Sequence, residues 1–176
     1  MAIKTTKFGE AQYPHLSDPD YQYHPEGLYQ VKLKVSKEDA KEDILAIREV
    51  ISKEVAKEHE RKPDNTKEIK RAPLPYEEIG NDVIFKFKCK ASGINSQTKK
   101  PFTQKPSIVD HNLEPIKDKT IWGGSIMRVN YEPIGYNVAS TGVGCTLRLK
   151  GVQISKLVEG QSNTSGFDKV EPKEHF

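Results

Sequence analysis

From Asp82 to Lys90 the chain reads Asp-Val-Ile-Phe-Lys-Phe-Lys-Cys-Lys, an alternation with a period of two. In a strand of that period Val83, Phe85, Phe87 and Cys89 line one surface while Lys86, Lys88 and Lys90 line the other. One face therefore needs a core. The other holds three ammonium groups in file, which repel one another unless an anion lies along them. A polyphosphate backbone fits such a row. Plain solvation fits it too, because lysines keep the edges of sheets from aggregating. Residues 27 to 35 repeat the pattern: Gly27 opens a strand in which Tyr29, Val31, Leu33 and Val35 alternate with Gln30, Lys32 and Lys34.

Ser36 closes that strand and has the chemistry of a helix cap, with Glu38 and Asp39 at the positive end of the helix dipole. The spacing predicts a helix over about 37–60, stopped by Pro63. Its apolar stripe, Ala40, Ile44, Ile47, Ile51 and Val55, gives one face to pack on a sheet. The remaining charges, acidic and basic in near balance, read as a solvated face. Residues 62–82 read as a Pro-rich linker containing Lys67, Lys70 and Arg71. A loop over 92–105 carries Lys99, Lys100, Phe102 and Lys105 ahead of a short strand at 107–111.

After Trp122 and the pair Gly123-Gly124, Met127, Val129 and Tyr131 oppose Ile126, Arg128 and Asn130, with Pro133 and Gly135 expected to break the strand. Tyr136 then falls in the connection or at its rim. Thr141-Gly142-Val143-Gly144 supplies turn chemistry and lacks the Lys-Ser/Thr ending of a phosphate loop. In the last strand Cys145, Leu147 and Leu149 point inward against Thr146, Arg148 and Lys150. The apolar phase slips at Gly151, which predicts a β-bulge there, and bulges are how small sheets curl into barrels.

The chain has 176 residues, 35% hydrophobic and 30% charged, with a formal net charge of +3. That bounds it to one polar domain with tails. Residues 1–26, rich in Tyr, Pro, His and Asp, read as an N-terminal arm; 27–158 as the folded domain; 159–176 as a flexible, weakly acidic tail. No apolar run is long enough for a membrane span and the first residues lack a signal-peptide core, so a cytoplasmic protein is expected. Cys89 and Cys145 read as buried small hydrophobes. The scattered histidines offer no metal spacing, and no cofactor is expected; His59-Glu60 lacks the second histidine of a zincin helix.

An ordered set of segments resembles the single-stranded DNA-binding proteins of short-tailed bacteriophages of the T7 type. It comprises Gly27-Leu-Tyr-Gln-Val-Lys-Leu33, Lys70-Arg-Ala-Pro-Leu-Pro-Tyr76, Phe85-Lys-Phe-Lys-Cys-Lys-Ala-Ser92, Trp122-Gly-Gly-Ser-Ile-Met-Arg-Val-Asn-Tyr131, Tyr136, and the strand through Leu147 and Leu149 to Leu157. The resemblance implies a mainly β, OB-fold barrel with one helix inserted after the first strand, and a non-enzymatic role in phage DNA replication, recombination and repair. It implies that Lys86, Lys88 and Arg128 are cleft cations, that Tyr136 stacks on bases and that Lys70-Arg71 is a basic linker engaging DNA. It also implies a homodimer, and a terminal aromatic, Phe176, that competes for the cleft and contacts the phage DNA polymerase and helicase-primase. Two departures stand out. The tail here is short and interrupted by Lys169 and Lys173, and Val138 replaces a second aromatic beside the stacking tyrosine.

Phosphates need a positive groove and unstacked bases need flat apolar surfaces. Lys86, Lys88, Arg128 and Arg148 offer the first; Tyr136, with Trp122 or Phe102, offers the second. Because stacking accepts any base, binding without sequence preference is expected. One rival is a non-enzymatic OB-like protein-interaction module in a phage or host replication complex, its lysines serving solubility. A nuclease is the other, and its only candidate carboxylates outside the helix, Asp110, Glu114 and Asp118 beside His111, form no recognisable triad.

Overall fold

The computed structural model describes residues 3–22, 24–63, 69–117 and 119–158. The strands are β1 (Lys4–Thr5), β2 (Gly9–Asp20), β3 (Leu28–Ser36), β4 (Tyr76–Ile79), β5 (Asp82–Lys90), β6 (Ser92–Ile94), β7 (Pro101–Thr103), β8 (Ser107–Val109), β9 (Ile126–Val138) and β10 (Gly142–Lys156), with one helix, α1 (Lys37–Arg61). The order β9-β2-β3-β5-β10 returns to β9, since β9 pairs with both β2 and β10. Five strands thus close a barrel. All of these pairings are antiparallel except that of β5 with β10, and that order with a single parallel pair is the OB-type Greek key.

The barrel begins earlier than the sequence reading placed it. Residues 1–26 are not an arm over their described length: β2 is the first barrel strand and buries Ala11 and Leu16 completely, while β1 pairs with β9. The helix accordingly follows the second barrel strand, not the first. Pro14, Pro19 and two register shifts in the β2–β3 pairing, one between Gln12 and His15 and one between His15 and Asp20, interrupt the alternation that would have marked the strand. The linker at 62–82 likewise contains β4, paired with β5.

Val31, Leu33, Val83, Phe85, Phe87, Met127, Val129, Tyr131 and Leu147 fill the interior, each at most 1% exposed. The rings of Tyr76, Phe85, Phe87 and Tyr131 touch in sequence, with centroids 5.2–6.1 Å apart. Both cysteines are free and buried; burial pushes the Cys145 thiol up to about 11.

Ser36 caps α1 through Oγ, which accepts the Asp39 N–H at 3.2 Å. Ala40, Ile47 and Ile51 bury the helix against β9 and β10, and each isoleucine contributes about 1.5–3 kcal/mol. The charged helix face is not wholly solvated. Asp43 is buried on the same stripe and accepts a short hydrogen bond from the Tyr131 hydroxyl, and Glu58 accepts from Asn137 Nδ2 at 2.6 Å.

Two features of the last strands decide the surface. β9 does not break at Pro133 and Gly135 but pairs with β10 as far as Val138. β1 runs beside β9 only as far as Tyr131, so beyond that residue β9 is an edge on one side and tolerates a proline there. The register shift expected at Gly151 is present between Leu149 and Gly151. A Cβ on Gly151 would sit 3.0 Å from the Ser107 carbonyl oxygen, so glycine lets β8 approach β10 closely.

Candidate nucleic-acid interface

The outward positions of β3, β5, β10 and β9 fall into rows. Lys32 pairs in register with Lys86, and Gln30 with Lys88. Lys88 pairs with Arg148 across the parallel junction, and Arg148 with Glu132. Alternation keeps Val31, Phe85, Phe87, Leu147 and Tyr131 beneath this surface. Lys32, Lys86, Lys88 and Arg148 are exposed on it. Lys90 continues the row on β5.

Two further cations on this side are paired. Lys34 lies 4.0 Å from Asp82, and Lys150 lies 3.6 Å from Glu132. Among the described residues no carboxylate pairs with Lys32, Lys86, Lys88 or Arg148. Two like charges directly opposite one another on adjacent strands destabilise a sheet. Lys88 registers the strain: partial burial, with Lys86 and Lys90 beside it, holds its ammonium below the ordinary lysine range. An anion along the face relieves both penalties.

Tyr136 belongs to the same face, not to a connecting loop. It pairs in register with Gly144, four residues before Arg148 on β10, hence about 13 Å along the strand. A Cβ on Gly144 would lie 2.6 Å from Tyr136 Cζ and 2.9 Å from Ala72 Cβ, so the half-buried phenol rests over the glycine beside Ala72. The linker reaches this spot because the Ala72 N–H donates to the Val143 carbonyl at 2.8 Å and Arg71 bridges to Val143. Lys70 Nζ donates to the Ser140 carbonyl at 2.7 Å. Lys70 and Arg71 thus stand at the aromatic end of the cationic face.

Arg128 lies four residues from Glu132 on β9, on the side away from Tyr136. It lies beyond the Gly151 bulge, its Nε donating to Gln153 Oε1 at 2.7 Å and its guanidinium 5.0 Å from the Phe8 ring centre. Trp122 is 40% exposed in a loop held against β2 by the Gly124 N–H to Ala11 carbonyl bond. Phe102 covers Gly93 on the β6–β7 hairpin. Asp110 Oδ1 accepts the N–H groups of Asn112 and Glu114, the work of a turn cap. Phe176, the tail from 159, Lys67 and Asp118 lie outside the described residues. Lys32 and Tyr13 join the predicted residues here; the alternation of β3 marks Lys32 as outward from the sequence alone, whereas Tyr13 leaves no periodic signal.

A five-stranded Greek-key barrel with unpaired cations on its second and third strands is an oligonucleotide-binding barrel, the type that takes nucleic acid or sugar chains across that face. The model of the family described as single-stranded DNA-binding protein, bacteriophage T7, matches residues 8–157. The chain belongs to that family. It is 29% identical to the single-stranded DNA-binding protein of Enterobacteria phage T3, over 96% of this chain and 83% of that protein, and 28% identical to that of Escherichia phage T7, over 96% and 82%. It also superposes on the crystal structure of gp2.5, a single-stranded DNA-binding protein encoded by bacteriophage T7, with a TM-score of 0.79 and 25% identity, covering 98% of this chain and 99% of that one.

Proposed function

We propose that the chain binds single-stranded DNA without sequence preference, as a non-enzymatic protein of phage DNA replication, recombination and repair. The observation that carries this is the shared face: Lys32, Lys86, Lys88 and Arg148 stand unpaired in adjoining rows, with the Tyr136 ring and Lys70-Arg71 at one end. Lysines take phosphates as point charges, and the phenol offers a surface on which any base stacks. The family relatives, named for the same ligand, support the reading.

Homodimerisation, and contact with the phage polymerase and helicase-primase through Phe176, belong to the same proposal and rest on the family resemblance alone. Titration of the whole protein with labelled oligo(dT) and with a duplex of equal length, at two salt concentrations, tests the binding. Tighter binding of the single strand, weakened by salt, is expected. Equal affinity for both forms, or no shift at low salt, refutes it.

A further inference from the structure

We propose that Tyr13 forms a second base-stacking surface on this face, holding a base beside the phosphate that Lys32 and Lys86 take. The proposal rests on the single-stranded DNA reading and extends it to a residue outside the motifs that led there.

Tyr13 is 77% exposed, the most exposed of the large hydrophobic side chains among the described residues. Its ring makes no aromatic contact there, and its hydroxyl has no hydrogen-bond partner there. It contributes nothing visible to the core. Yet its backbone sits at φ 49°, the left-handed region that an aromatic residue seldom adopts, immediately before Pro14. It falls where the β2–β3 register shifts between Gln12 and His15, and irregularities of this kind re-aim a side chain.

Tyr13 borders a cleft. Tyr13, Gln30, Val31, Lys32 and Lys86 line a space of about 270 Å³ on the cationic face. Lys32 and Lys86 stand directly opposite each other there without a carboxylate. A flat π surface beside two unneutralised ammonium groups is the chemistry of a nucleotide, base on phenol and phosphate on lysine. Backbone strain kept at an exposed, contact-free ring agrees with a binding role, since such strain clusters at ligand clamps. Tyr136 lies at the other end of the face, across β5 and β10, so the two rings bracket the lysines.

Oligo(dT) titration of the whole protein, with thermal unfolding in parallel, tests this. Tyr13→Ala is expected to weaken binding about fivefold to a hundredfold with the salt slope unchanged, and Tyr13→Phe to keep wild-type affinity. Tyr13→Gly is expected to lose affinity as Tyr13→Ala does while its Tm stays level or rises, because glycine adopts positive φ freely. Wild-type affinity in Tyr13→Ala, while Tyr136→Ala weakens binding, overturns the role of Tyr13 and leaves the face intact. An affinity loss that follows Tm, so that Tyr13→Gly regains both, assigns the ring to folding and also overturns it. Failure of the wild-type protein to bind oligo(dT) at low salt is the separate failure of the DNA reading itself.

Discussion

The phenol of Tyr136 lies over Gly144, its register partner on the neighbouring strand, so closely that a Cβ there would meet the ring's Cζ at 2.6 Å. Any larger residue at 144 must displace the ring. Gly144→Val is therefore expected to cut oligo(dT) affinity to the level of Tyr136→Ala, about fivefold to a hundredfold, with salt dependence retained. Thermal unfolding of both variants separates this loss from a loss of fold.

Beneath the opposite side of β9, Tyr131 donates its hydroxyl to the buried Asp43 carboxylate. Tyr131→Phe leaves that carboxylate without its donor and is expected to cost about 1–3 kcal/mol in denaturant unfolding. DNA affinity, measured on folded protein, should not move.

Burial raises the Asp43 pKa above the ordinary aspartate value of 3.8. A raised acid means that the native state holds the proton more tightly than the unfolded state, so this group's contribution to stability falls as pH climbs from about 3.8 through the folded value. Asp43→Asn can still accept the Tyr131 hydroxyl and has no charge to bury. Its stability relative to wild type is expected to improve with rising pH across that window, as read by unfolding at a series of pH values. A constant difference would remove the burial argument.

The titration of Lys88 bears on binding rather than on stability. Its pKa is held below 10.5 by burial first, then by Lys86 and Lys90, and a bound phosphate favours the protonated form. Binding therefore takes up protons in the alkaline range below 10.5, and affinity should fall as pH rises there. Lys88→Arg, which stays charged, is expected to flatten the profile at constant ionic strength.

Much of this site was legible because it lies on regular strands. The alternation from Val83 to Lys90 separates Phe85 and Phe87 from Lys86 and Lys88, and the same rule placed Arg148 outward. What stayed hidden depends on partners rather than on periodicity. β2 reads as an arm because its prolines and register shifts spoil the period of two, and Tyr13 falls at one of those shifts. Asp43 falls on the buried stripe three residues after Ala40 and four before Ile47, but its burial needs the Tyr131 hydroxyl, which no local pattern announces. Arg128 has the right alternation but lies beyond the bulge at Gly151, where it pairs with Gln153 and meets Phe8, partners that no local pattern announces.

The central claim is that Lys32, Lys86, Lys88 and Arg148 together hold a phosphate backbone. The salt dependence of oligo(dT) affinity measures it most directly, in the wild-type protein and in the four single alanine variants. Log affinity is predicted to fall linearly with log salt at about 0.7 per phosphate contacted, each variant losing about one contact from the slope. A slope near zero, or one that none of the four substitutions changes, would contradict it.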